Sequence, residues 1–111
     1  MNWNKLTDAK QLNEIKALSS ETPIVIFKHS TRCSISSSAL SRIERSWDEG
    51  EMKTVKPYYL DLISYRDISN QIASEFDVVH ESPQLLLIKD GKCSYTSSHM
   101  GINYKELLSK I

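Results

Sequence analysis

The chain has 111 residues, 40% apolar and 25% charged, with 14 basic and 14 acidic side chains that balance to zero. That length fits one domain, residues 1–111, whose core needs no staples, and the charge balance argues against a nucleic-acid partner. Two cysteines are too few for a secreted disulfide scaffold or, alone, for a zinc site, and no apolar window suits a membrane span or a signal peptide, so a cytoplasmic protein with reduced thiols is expected.

Trp3 to Leu6 reads as a short first strand. Thr7-Asp8 opens a helix in which Leu12, Ile15 and Leu18 recur at helical spacing. Ile24 to Phe27 is a continuous apolar run, as in a strand buried on both faces. The second helix follows Cys33, with Leu40, Ile43 and Trp47 on its inner stripe and Gly50 at its end. Val55 to Leu62 is the next strand. Ser64-Tyr65-Arg66-Asp67 has the form of a capping box, with Asp in place of Glu or Gln. Ile68, Ile72 and Phe76 define the buried face of the helix it opens. Gln84 to Lys89 is a strand, Asp90-Gly91 a hairpin turn, and Lys92 to Ser97 the antiparallel return, broken by Gly101. Tyr104 to Ile111 closes as a short helix. The order β-α-β-α-β-α-β-β-α implies an α/β protein with a mixed central sheet flanked by helices, and it is the order of the thioredoxin-like fold.

The chemistry centres on Cys33, in His29-Ser30-Thr31-Arg32-Cys33-Ser34-Ile35-Ser36. Cys33 falls at the first turn of the second helix. Free backbone N–H groups and the helix dipole favour an anion there, and so the thiolate that attacks disulfides. Arg32 adds positive charge. The Ser36 hydroxyl, one turn on, is placed to donate to the sulfur. A second cysteine at 36 would form an internal disulfide; a serine cannot. The spacing therefore predicts monothiol chemistry: Cys33 takes up a small thiol, and a free thiol or a partner reductase regenerates it. A lone cysteine is also commonly a small apolar core residue. The strand-to-helix placement and the C-x-x-S spacing weigh against that here.

Cys93 lies just past the Asp90-Gly91 turn, opposite Ile88. With Pro83 beside Cys33, the hairpin tip falls at the far pole, about 15–20 Å away at ~3.3 Å per residue. A disulfide needs Cα atoms within about 7 Å, so no internal bridge is expected. Ser82-Pro83 is the other informative pair. In thioredoxin-like proteins a proline just before the hairpin is cis and faces the active cysteine, leaving the Ser82 backbone N–H and C=O for an extended substrate. The alternative is an ordinary trans proline that opens a strand.

Three strings together resemble the monothiol bacilliredoxin (YtxJ-like) family, first described among general stress proteins. They are Phe27-Lys28-His29-Ser30-Thr31-Arg32-Cys33-Ser34-Ile35-Ser36, His80-Glu81-Ser82-Pro83-Gln84 and Ser97-Ser98-His99. The likeness spans nearly the whole chain. It implies a thioredoxin-like fold and the removal of bacillithiol from protein mixed disulfides, with Cys33 as nucleophile. No tightly bound cofactor is implied; the low-molecular-weight thiol is a co-substrate, and mixed-disulfide client proteins are the partners. No oligomer surface is legible, and a monomer is expected. The family commonly has Thr-Cys-Pro-Ile-Ser; here Arg32 and Ser34 stand in place of the threonine and the proline, which should loosen the helix start. Met100 replaces an aromatic residue.

Within that frame His29, Arg32 and Ser36 support the thiolate, and Thr31, Ser82, Pro83 and His99 bind substrate. His29 and His99 border the thiol site, tuning Cys33 or contacting carboxylates of the small thiol, although each also fits a hydrogen-bonded structural histidine. Glu81 either positions the turn or repels anionic clients. Gly101 permits close backbone approach. The buried acid that ordinary thioredoxins place beneath their cysteine pair is not apparent; Phe27 and Lys28 occupy that strand, which argues against a dithiol reductase. Two other classes stay open. One is a non-catalytic binding module with a groove at Pro83 and Cys33 as a regulatory thiol. The other is an iron–sulfur carrier like monothiol glutaredoxins, ranked last because Ser34-Ile35 lacks the glycine of C-G-F-S.

Overall fold

The computed structural model describes residues 1–111. The apolar run Ile24 to Phe27 becomes the centre of strand β2 (Ile24–His29), every residue of which is buried. A strand with no solvent face must be central, and β2 is. It pairs in parallel with β3 (Lys56–Asp61) and antiparallel with β4 (Gln84–Lys89). A two-residue β1 (Asn4–Lys5) edges β3, and β5 (Lys92–Ser98) edges β4, giving the order β1-β3-β2-β4-β5. The helices are α1 (Gln11–Leu18), α2 (Ser34–Ser46), α3 (Arg66–Glu75) and α4 (Tyr104–Lys110), with a 3-10 turn over His99–Gly101. This is the thioredoxin-like α/β arrangement. No helix is long and apolar enough to cross a membrane.

The two faces of the sheet carry separate cores, because successive strand residues point to opposite sides. On one face Leu12, Ile15, Ile68, Ile72 and Phe76 pack on Ile24, Ile26, Leu60, Leu86 and Ile88. On the other, Ala39, Ile43 and Leu107 pack on Val25, Phe27, Leu85 and Leu87. Each fully buried Leu, Ile or Phe stabilises the fold by about 1.5–3 kcal/mol relative to its exposed state. The Asp90-Gly91 turn has positive φ at both residues (51° and 73°), the backbone that a two-residue hairpin requires.

Helix ends differ from the sequence reading where a side chain found another partner. α2 stops at Ser46, not at Gly50; the Asp48 carboxylate collects the N–H groups of Gly50 (2.8 Å) and Glu51 (3.1 Å) in a separate turn. α1 begins at Gln11, because the Gln11 side-chain carbonyl accepts the N–H groups of Thr7 and Asp8 first. The Ser64–Asp67 capping box does not form. Asp61, at the end of β3, accepts the Ser64 hydroxyl at 3.0 Å and the Ile63 and Ser64 N–H groups, and Tyr65 is left at the N-cap of α3.

Candidate active site

β2 ends at His29, and the chain turns through Ser30, Thr31 and Arg32 into α2. The Cys33 N–H donates to the Ser30 carbonyl at 3.1 Å and closes that turn. Cys33 is the N-cap of α2, with extended backbone (φ −112°, ψ 122°), one residue before the first turn expected for it. Its thiol is free and half-buried; Thr31 and Arg32 are exposed. The helix starts at Ser34, so the absence of a proline there does not displace its start.

An N-cap side chain normally accepts the N–H of the second or third helical residue. In α2 no side chain does so, and the first turn holds no acidic residue. The N–H groups of Ser34, Ile35 and Ser36 have no partner within the chain. With the dipole of a 13-residue helix behind them, these donors favour an anion at position 33. The residue that stands there carries sulfur.

Ser36 does not serve that sulfur, contrary to the sequence reading. It is fully buried, and its hydroxyl accepts the Ser30 N–H at 2.9 Å while lying 2.7 Å from His29 Nδ1. Its hydrogen bonds run to His29 and the Ser30 N–H, and none joins it to the Cys33 sulfur. His29 is held between Phe27 and Tyr59, at ring-centroid distances of 6.3 and 5.7 Å. Burial lowers its pKa, with Asp61 and Glu44 partly opposing, so the ring is neutral at pH 7.

The Ser82-Pro83 bond is cis. Lys28 pairs with Gln84, which sets Pro83 level with His29 at the C-terminal end of β2. Pro83 C=O accepts the His99 N–H at 3.0 Å. The Ser98 hydroxyl donates to the Glu81 carboxylate, and the Glu81 N–H donates to Gln84 Oε1 at 3.3 Å, so Glu81 positions this turn. The Ser82 N–H and C=O have no partner within the chain. His99 is exposed and takes φ 54°, a left-handed backbone uncommon for a residue with a side chain. Gly101 has open space where a Cβ would stand, so the close approach expected of it is not made.

His80 goes to the other face of the sheet. Its Nδ1 lies 3.3 Å from Lys28 Nζ and 3.3 Å from the Ser69 hydroxyl. Lys28 is fully buried and donates to the Ser69 carbonyl at 3.1 Å. Burial, with Arg66 adding repulsion, lowers its pKa to about 8. The sequence reading missed this buried ammonium, although the period of two in Ile24, Ile26 and Lys28 points it inward. Cys93 pairs with Ile88, which pairs with Ile24, at the opposite end of β2 from His29. Burial pushes its thiol pKa up, and the sulfur sits 3.3 Å from the Tyr95 carbonyl.

One cysteine at the start of the helix after the central strand, on this sheet, is the layout of a thioredoxin-like thiol oxidoreductase. The model of the monothiol bacilliredoxin BrxC family matches residues 4–107, and the chain belongs to that family. Among solved structures, one described as having a thioredoxin fold is 28% identical, with a TM-score of 0.81 over 96% of this chain and 90% of that one. Thioredoxin from Fasciola hepatica (22% identity, TM-score 0.69, 97% and 95% covered) and from Malassezia sympodialis (19%, 0.73, 97% and 86%) share the fold.

Proposed function

We propose that this protein removes a low-molecular-weight thiol, bacillithiol, from mixed disulfides of cytoplasmic client proteins, with Cys33 as the single nucleophile. The observation that carries the reading is the uncapped start of α2 at Cys33. The N–H groups of Ser34, Ile35 and Ser36, which no side chain caps, favour a thiolate beside them. The Cys33 thiolate attacks the small-thiol sulfur of the mixed disulfide. A bond forms between Cys33 and the small thiol, the client's bond breaks, and the client thiolate leaves and takes a proton from water. A second small thiol, or a partner reductase, then attacks the adduct and returns Cys33 as thiolate. Serine at position 36 leaves no internal thiol to intercept the adduct.

The unpartnered Ser82 N–H and C=O are available to an extended client strand beside Pro83. Thr31 and His99, both exposed, flank the approach, and Arg32 adds positive charge for the carboxylates of the small thiol.

The test is intact mass of wild type, Cys33→Ser and Cys93→Ser after incubation with bacillithiol disulfide, and separately with glutathione disulfide. One bacillithiol adduct per chain is expected, lost in Cys33→Ser, kept in Cys93→Ser and exchangeable with a client protein. No adduct from either reagent at neutral pH would overturn the reaction and favour a binding module. Adducts from glutathione alone would keep the reaction and replace the thiol.

A further inference from the structure

A cleft of about 800 Å³ lies between α2 and α4, away from the sulfur of Cys33. Arg42, Arg45 and Lys105 line it, against one carboxylate, Glu51. Glu51 is engaged by the Tyr104 hydroxyl, which donates to it at 2.8 Å. The Arg42 guanidinium donates to the Ile102 carbonyl at 3.3 Å and the Ser38 hydroxyl at 3.2 Å, both uncharged. The chain's two ion pairs, from the Met1 amino group to Glu49 and from Lys16 to Glu75, lie elsewhere. A chain of zero net charge thus gathers three cations without carboxylate partners on one concave surface.

The cleft and the thiol site share helix α2, which starts beside Cys33 and carries Arg42 and Arg45. Ser34, Ser38, Arg42 and Arg45 follow one another along one face of α2, at steps of four, four and three residues. From Ser34 to Arg42 and Arg45 the helix rises about 12–16 Å, at ~1.5 Å per residue. Ile102, on the cleft wall, directly follows the His99–Gly101 turn, which packs against α2 and is hydrogen-bonded to Pro83. An extended segment advances ~3.3 Å per residue, so a carboxylate four or five residues from a cysteine held at Cys33 reaches the cations.

We propose that the α2–α4 cleft docks an acidic segment of the client protein, and so selects which mixed disulfides Cys33 attacks; this rests on the thiol-exchange reading above. The zero net charge provides no broad field for a long polyanion, whereas three convergent cations match one or two carboxylates.

The experiment compares two peptides, each carrying one cysteine as its bacillithiol mixed disulfide. They differ only in having Glu or Gln at the fourth and fifth positions on both sides of that cysteine. Transfer of the small thiol to Cys33 is followed by intact mass. At low ionic strength the Glu peptide is expected to react about fivefold faster, the scale of one or two exposed ion pairs. That ratio should fall toward one at high salt and in the Arg45→Gln/Lys105→Gln double variant. Equal transfer from both peptides at low salt, or a ratio unmoved in the double variant, overturns the docking proposal alone. Transfer from neither overturns the reaction, and the docking proposal falls with it.

Discussion

The Ser36 hydroxyl lies 2.7 Å from His29 Nδ1, and the same oxygen accepts the Ser30 N–H. One buried hydroxyl thus joins the end of β2, the turn before Cys33 and the first turn of α2. Removing it leaves the Ser30 N–H and the imidazole nitrogen without partners. Ser36→Ala should therefore cost about 1–3 kcal/mol, read as a lower urea midpoint at unchanged m-value. An unchanged midpoint would mean that water replaces the hydroxyl fully.

Position 36 also separates monothiol from dithiol chemistry. Ser36→Cys places a second thiol one helical turn from Cys33. After oxidation this variant should lose two mass units and stop accumulating the single small-thiol adduct, because the second thiol attacks the adduct faster than an external one. Persistence of the adduct at the wild-type level would show that a residue-36 sulfur does not reach Cys33.

His29 and His80 both have pKa values lowered from the ordinary 6.5, each chiefly by burial. Below pH 6.5 the unfolded chain then binds more protons than the folded one. Their contribution to stability is complete above pH 6.5 and is lost as pH falls through the folded values. Urea midpoints measured from pH 7.5 to 5 should decline, and His80→Gln should decline less steeply than wild type over the same range. Parallel curves would assign the acid sensitivity to other groups.

Lys28 acts at the other end of the scale. Its pKa falls from 10.5 to about 8 on folding, so between those values the unfolded chain binds the extra proton. Stability is therefore lowest on this account below pH 8 and rises toward pH 10.5, by at most about 3 kcal/mol. Lys28→Met should flatten this rise. Equal slopes for the two proteins between pH 8 and 10 would mean that the buried amine is neutralised by other means.

Several elements were legible because their signals are local. The apolar run at Ile24, the four-residue spacing of Ile68, Ile72 and Phe76, and the Asp90-Gly91 pair each state a backbone preference that the fold obeys. The Ser64–Asp67 string failed for the opposite reason. Its hydroxyl had a nearer acceptor in Asp61, which reaches it only because β3 ends where it does. Gly50 failed likewise, since Asp48 had already closed a turn of its own.

At the candidate site, the order of residues was enough to locate Cys33 where strand turns to helix, to rule out a second thiol at Ser36 and to mark the proline before the hairpin. These follow from residue type and spacing along the chain. Where the polar side chains point was set by packing. It turned Ser36 to His29, buried Lys28 beside His80 and Ser69, and gathered Arg42, Arg45 and Lys105 around one cleft. Arg42 and Lys105 stand 63 positions apart along the chain, and Lys28 and His80 stand 52 apart. A hydrogen bond or a charge cluster depends on separation in space, and the packing of helices on the sheet sets that separation.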